Sequence, residues 1–335
     1  MTRVGVIGAG AWGTALAHLR ASAGDEVTVW AHETQVVEDI NERHENRTFL
    51  PGVRLPESLR ATGELEAAVA DRDLVLIVCP SHVMRPVMQR AAPHLPEGVP
   101  LVSAAKGIEN DSLMTMCEVL EAVLPIGHHP MLAFLSGPSF AKELVKAMPT
   151  AVCVAARFER VAMDVQRMMA APYMRLYTST DVVGVELGGA LKNVMAIAAG
   201  AASGLGFGYN TITALITRGL AEMSRLAVRR GANPLTLSGL SGMGDLVLTC
   251  MGGLSRNRMV GEKLGQGMTL DEIVHDMKQV AEGVKTAKSV HALALREEVD
   301  MPICTVVYQM LYEGLPAKEA VASLMSRSQK REIQT

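Results

Sequence analysis

No sign of charge dominates this chain. Its 32 lysines and arginines face 35 aspartates and glutamates, a formal net charge of -3. It therefore lacks the broad basic field that a nucleic-acid or membrane-surface partner requires, and any anionic small molecule must be held by a few local cations. Cysteine is also sparse. The five residues Cys79, Cys117, Cys153, Cys250 and Cys304 are scattered, with no C-x-x-C pair among them, so neither a disulfide framework nor a metal site is expected and each thiol reads as a small buried hydrophobe. With no signal-peptide pattern, this favours a reducing, cytoplasmic compartment. Long apolar runs are missing too: Val194 to Leu205 is too short to span a bilayer, and Lys192 and Asn193 stand at its start. What remains is 49% apolar residues in 335 positions, 21 of them methionines read as core filler. That is enough for two domains of about 100–200 residues, each with its own core.

The N-terminal pattern is strand, glycine loop, helix, strand. Arg3-Val4-Gly5-Val6-Ile7 runs into Gly8-Ala9-Gly10-Ala11-Trp12-Gly13, and Glu26-Val27-Thr28-Val29-Trp30 follows a Gly24-Asp25 turn, a β-α-β unit of about 30 residues. Further short apolar runs begin at Leu74, Pro100, Leu132, Ala151 and Met174. Near-continuous runs of this kind suit strands covered on both faces, as in a parallel doubly wound sheet. After about Ser179 the period changes to 3.6, predicting helices over 182–203, 211–230, 255–265, 283–297, 302–313 and 316–327. The chain thus reads as an α/β domain over 1–180 and an all-helical domain over 181–335.

Each glycine of the loop has a mechanical task. Gly8 permits the tight turn, Gly10 lets the backbone approach a pyrophosphate, and Gly13 lets helix and strand pack closely. A pyrophosphate there would lie on free N–H groups at a helix N-terminus. Following a strand and opening a helix, the motif predicts dinucleotide binding. The acidic residue expected about 20 positions on, which would hold a ribose 2′-hydroxyl, is replaced by Ala31-His32, with Glu33 one place late. His32 suits a plain ribose or a 2′-phosphate, so both NAD(H) and NADP(H) stay open.

In open α/β sheets ligands bind beyond the carboxyl ends of the strands. Three polar loops fall there: Cys79-Pro80-Ser81-His82, Lys106-Gly107 and Ser136-Gly137-Pro138-Ser139. In the helical half, Gly188-Gly189-Ala190-Leu191-Lys192-Asn193 sets a lysine and an amide in an apolar, small-residue helix. Two glycines there are costly unless another backbone or a ligand comes close. Desolvation of Lys192 would lower its pKa toward the range useful for proton transfer. Gly242-Met243-Gly244-Asp245 places a carboxylate beside glycines, and Ser255-Arg256-Asn257-Arg258 reads as an N-cap serine opening a helix with basic first-turn residues. Cations are unfavourable at that end of a helix unless an anion also sits there, which points to a phosphate.

Together these segments resemble bacterial-type NAD(P)-dependent glycerol-3-phosphate dehydrogenase. The similarity is carried by Val6–Leu16, Lys106-Gly107, Leu135–Glu143, Gly188–Asn193, Ala214–Met223, Gly244–Cys250 and Ser255–Arg258, in the family's order in both halves of the chain. The resemblance implies a Rossmann-like sheet with a C-terminal all-helical domain, and NAD(P)H-dependent reduction of dihydroxyacetone phosphate to sn-glycerol 3-phosphate, which feeds glycerophospholipid synthesis. It also implies residue roles. Lys192 matches the proton donor and acceptor, while Lys106 and Asp245 share the catalytic group. Lys106, Gly137, Ser139, Lys192, Asn193, Asp245, Thr249, Ser255, Arg256 and Asn257 match the substrate wall, and Arg256 and Asn257 lie near the phosphate. Gly8, Gly10, Ala11, Trp12, Gly13, His32, Lys106, Ala141, Arg256, Val280 and Glu282 match cofactor contacts. A homodimer without membrane insertion is implied as well. Ala11 departs from a serine common in the family, His32-Glu33 from an arginine, and Met251–Leu254 from a more polar stretch. A related dehydrogenase acting on a carboxylate substrate and a non-catalytic dinucleotide sensor are the competing readings.

Overall fold

The computed structural model describes residues 1–277, 281–329 and 331–332. Contacts divide the chain into two compact units: Met1–Ala190 with Ala227–Asp245, and Leu191–Leu226 with Leu246–Thr335.

The first unit is built on an eight-stranded sheet. Its strands are β1 (Arg3–Ile7), β2 (Glu26–Trp30), β5 (Leu59–Thr62), β6 (Leu74–Ile77), β7 (Leu101–Ser103), β8 (Leu132–Ser136), β9 (Thr150–Ala156) and β10 (Met174–Ser179), in the order β10-β9-β8-β7-β6-β1-β2-β5. The six strands from β8 to β5 are parallel, with Val4 opposite Val27 on one side of β1 and Leu74 on the other. The order reverses at β1, the switch point where such sheets bind ligands. One feature departs from the expected parallel sheet: β9 pairs antiparallel with β8, and only β10 then runs parallel to β9. A two-stranded hairpin, β3 (Glu45–Asn46) with β4 (Leu50–Arg54), and strand β5 were not foreseen.

Strand periodicity sorts the two faces. Val4, Val6, Leu74, Leu76, Ala133 and Leu135 enter one core layer, with α1 (Ala11–Ser22), α2 (Thr34–Arg43) and α7 (Glu159–Met169). Ile7, Val75, Ile77, Leu132 and Phe134 enter the other, with α3 (Leu65–Val69), α4 (Met84–Ala91) and α5 (Met116–Val123). A short helix, α6 (Ala141–Leu144), packs on α1. All five cysteines are free and buried.

Beyond Ser179 every described element is helical: α8 (Val182–Gly204), α9 (Tyr209–Arg229), α10 (Pro234–Leu237), a π-helical turn (Leu240–Gly244), α11 (Asp245–Met251), α12 (Arg256–Gly265), α13 (Leu270–Asp276), α14 (Glu282–Arg296), α15 (Pro302–Tyr312) and α16 (Ala317–Met325). The change from strand to helix falls near residue 180, but the first unit also takes in 181–190 and 227–245. Helix α8 is 23 residues long, well beyond the expected apolar stretch from Val194. It is long and apolar enough to cross a membrane, yet 89% of its apolar window is buried within the protein, as in a core helix. In the second unit α8 and α12 meet backbone to backbone. A Cβ at Gly200 would collide with the Arg258 carbonyl oxygen, and one at Gly261 with that of Ile197.

Candidate active site

The dinucleotide loop lies at the switch point. Gly8 has φ +114°, and a Cβ there would stand 2.9 Å from the Cys79 nitrogen, so the loop packs tightly on the segment that follows β6. A Cβ on Gly13 would collide with the Gly8 carbonyl oxygen, whereas one on Gly10 would meet nothing within 4 Å. The middle glycine therefore faces open space, with its flanking glycines locked. Gly10 caps α1 without any side-chain hydrogen bond, and no acidic residue sits in the first turn. Those N–H groups are left for an anion. Ala11 and Trp12 begin the helix and, like Ala141 at the start of α6, are half-buried against the same core layer. His32 follows β2, exposed, with its ring 6.3 Å from that of Trp30.

A second group of predicted residues assembles within the first unit. Lys106, beyond β7, donates from Nζ to Asp245 Oδ2 at 2.7 Å and to the Gly137 carbonyl at 3.1 Å. The Lys106 side chain is 15% exposed and that of Asp245 2%. Two charges so far out of water hold position rather than add stability, since removing either strands the other. Gly137 has φ +140° and a Cβ there would press on Val152 Cα at 2.9 Å; the Ser139 hydroxyl donates to its carbonyl at 3.0 Å. The π-helical turn ends on Gly244, which lies against Pro138, and Asp245 follows at once. Of the two helical glycines, Gly188 meets the expected backbone, where a Cβ would stand 2.6 Å from the Ser241 carbonyl oxygen, while a Cβ on Gly189 would meet side chains instead, 2.6 Å from Ser136 Oγ and 3.5 Å from Lys106 Cγ.

A third group belongs to the second unit. Lys192 on α8, buried, donates from Nζ to Thr249 Oγ1 on α11 at 2.7 Å. The neighbouring Asn193 accepts through Oδ1 from Asn257 Nδ2 at 2.9 Å, and Asn257 Oδ1 in turn accepts from the Gly283 N–H at 2.9 Å. Ser255 is the N-cap of α12, its Oγ accepting from the Arg258 N–H at 3.2 Å. Arg256, first in that helix, is exposed. Glu282 opens α14 and is half-buried; Val280 lies outside the described residues.

Family models match both halves of the chain: NAD-dependent glycerol-3-phosphate dehydrogenase N-terminus over residues 3–162, and its C-terminus over 181–322. A relative from Myxococcus xanthus, named glycerol-3-phosphate dehydrogenase [NAD(P)+], is 56% identical over 331 residues, 99% of each chain. The protein of that name from Geobacter metallireducens is 56% identical over 330 residues, 98% of each. The crystal structure of glycerol-3-phosphate dehydrogenase from Coxiella burnetii superposes with a TM-score of 0.93 at 37% identity, over 97% of this chain and 99% of that one.

The chain belongs to the NAD-dependent glycerol-3-phosphate dehydrogenase family. Its residues fit the family's nicotinamide dinucleotide: the Gly10 cradle is open, and the helix beyond it carries no competing cap. Among the described residues, no group of three or more His, Cys, Asp or Glu could hold a metal ion. Sequence reasoning passed over three residues that shape this dehydrogenase. Asn46 bonds the Ala9 carbonyl behind the glycine loop. Gly283 touches Asn257 where a Cβ would stand 2.7 Å from Oδ1. Glu186, on α8 ahead of the two glycines, accepts from the Cys117 N–H at 2.9 Å. Only Glu186 carried a signal, an acid in an otherwise apolar helix.

Proposed function

We propose that the chain catalyses reversible NAD(P)H-dependent reduction of dihydroxyacetone phosphate to sn-glycerol 3-phosphate, the backbone of glycerophospholipids. The observation that carries the reading is Lys192, a buried ammonium held on a threonine hydroxyl at 2.7 Å in a helix whose next residue is tied to α12. When bound, the reduced cofactor supplies a hydride to C2 of the ketone. Lys192 holds a proton at Nζ and passes it to the C2 oxygen, where negative charge develops. Lys106 adds positive charge, and Asp245 fixes its ammonium. Arg256 anchors the phosphate together with the N-terminal amides of α12, supported by the Ser255 cap and Asn257. Asn193, Thr249, Gly137 and Ser139 complete the substrate wall. Gly8, Gly10, Ala11, Trp12, Gly13, His32 and Ala141 hold the dinucleotide, with Glu282, Val280 and Arg256 as further contacts.

Initial rates, read as loss of NAD(P)H absorbance, test the reading. Dihydroxyacetone phosphate is expected to be turned over with at least one of NADH and NADPH, and keto acids left alone. Turnover of keto acids in its place, or cofactor binding with no turnover of any substrate, would sink it. We also infer a homodimer in the cytoplasm. Five buried free thiols suit a reducing compartment, and Phe207, Tyr209, Met251 and Leu254 of the second unit are exposed apolar residues that favour self-association. A monomer mass in sedimentation would refute the dimer.

A further inference from the structure

We propose that Asn46 aims the dinucleotide loop, as a positioning residue acting through the Ala9 carbonyl and Thr14. Its side chain is completely buried. Nδ2 donates to the Ala9 carbonyl at 2.8 Å and to Thr14 Oγ1 at 2.8 Å, using both of its hydrogens. Oδ1 accepts from the Phe49 N–H at 3.0 Å, which closes the hairpin turn around the residue. The Thr14 hydroxyl, having accepted from Asn46, spends its own hydrogen on the same Ala9 carbonyl at 3.1 Å. Two donors therefore draw that carbonyl into the protein interior.

The consequence lies one atom along the chain. Among the described residues no peptide bond is cis, so the Ala9–Gly10 unit is planar with C=O and N–H pointing in opposite directions. Pulling the Ala9 oxygen inward turns the Gly10 N–H outward, at the one glycine of the motif whose surroundings are open. The pull comes from 37 residues away in sequence. It is anchored in turn: Arg47, next to Asn46, pairs with the buried Asp39 of α2 at 2.7 Å, and the Leu55 N–H donates to the His44 carbonyl at 2.7 Å across the base of the hairpin. The hairpin thus holds the loop's amide direction in place before any ligand arrives, which lowers the ordering cost of binding.

The proposal rests on the glycine loop being the dinucleotide site, and calorimetric titration of the full-length protein with NADH and NADPH separates the two claims. Wild-type protein that binds neither overturns both. Given wild-type binding, Asn46→Leu, close in size but without donors, is expected to raise the cofactor Kd about tenfold or more. Thr14→Val is expected to raise it less, and Thr14→Ser, which keeps the hydroxyl, to restore it. KM for the phosphorylated ketone should move far less than KM for cofactor. Should Asn46→Leu fail to fold, the Thr14 pair carries the same test. A lowered Tm with unchanged cofactor Kd in these variants would make Asn46 a packing residue only and overturn the proposal.

Discussion

The contacts made by the two lysines proposed for the site differ in kind. Lys106, at a strand end in the first unit, gives its ammonium to a carboxylate almost without exposure, Asp245. Lys192, within a helix and assigned to the second unit, gives its own to a hydroxyl, Thr249. A carboxylate carries its own negative charge and holds a cationic donor most strongly. A hydroxyl both accepts and donates, so it can hold a lysine as ammonium or as amine. The carboxylate contact fits the fixed positive charge proposed for Lys106, and the hydroxyl contact leaves the proposed proton donor Lys192 an accepting and donating neighbour in either protonation state.

Removing single side chains of the proposed site should test these roles. The largest effect is expected for Lys192→Ala, with kcat falling by about 10²–10⁴-fold as for loss of a general acid, while cofactor binding measured by titration is retained. Near-normal turnover would end the assignment and, with it, the distinction between the lysines. A smaller and differently shaped effect is expected for Arg256→Ala. Its interaction is remote from the reacting carbon, so KM for the phosphorylated ketone should rise by about tenfold to a hundredfold, as for loss of a charge-assisted hydrogen bond. KM for the cofactor should change far less. Equal rises in both would remove Arg256 from the phosphate.

These features were not equally legible in the sequence. The glycine loop was readable because its spacing is local, following directly on β1 and opening α1, and the 3.6-residue period marked α8, α9, α12, α14, α15 and α16. The Ser255 cap was readable for the same local reason. The antiparallel turn-back of β9 was not, because a strand buried on both faces looks the same in either direction. Nor did any local pattern join Lys106 to Asp245, 139 residues apart, or bring Asn46 behind Ala9. The resemblance supplied the first pairing as shared membership of one site. The second lay in a hairpin whose polar, glycine-broken strands gave no alternation to read.

The smallest effect separates the machinery of the site from the frame that carries it. Glu186 lies on α8 two residues before Gly188, and its carboxyl accepts from the Cys117 N–H at the start of α5. Burial holds its pKa up to about 8 against an ordinary 4.5, with that N–H pulling the other way and the neighbouring Glu118 and Glu121 adding to the rise. The folded protein therefore keeps a proton that the unfolded chain releases from about pH 4.5 upward. Between that point and about pH 8 the folded state binds more protons, so this group's contribution to stability falls as pH rises, by at most about 1.4 kcal/mol per pH unit, and levels off above the folded value. Glu186→Gln supplies a neutral acceptor of the same shape and removes that slope. Urea unfolding from pH 5 to 9 should give the two proteins similar stabilities at the acid end and a more stable variant at pH 8. Glu222, held up to about 7 by burial at the N-terminus of α15, slopes the same way in both proteins and cancels in the difference. Parallel profiles would mean that Glu186 is ionised in the fold. Altered turnover at pH 6, where the wild-type carboxyl is expected to be neutral already, would place Glu186 in the chemistry rather than behind it.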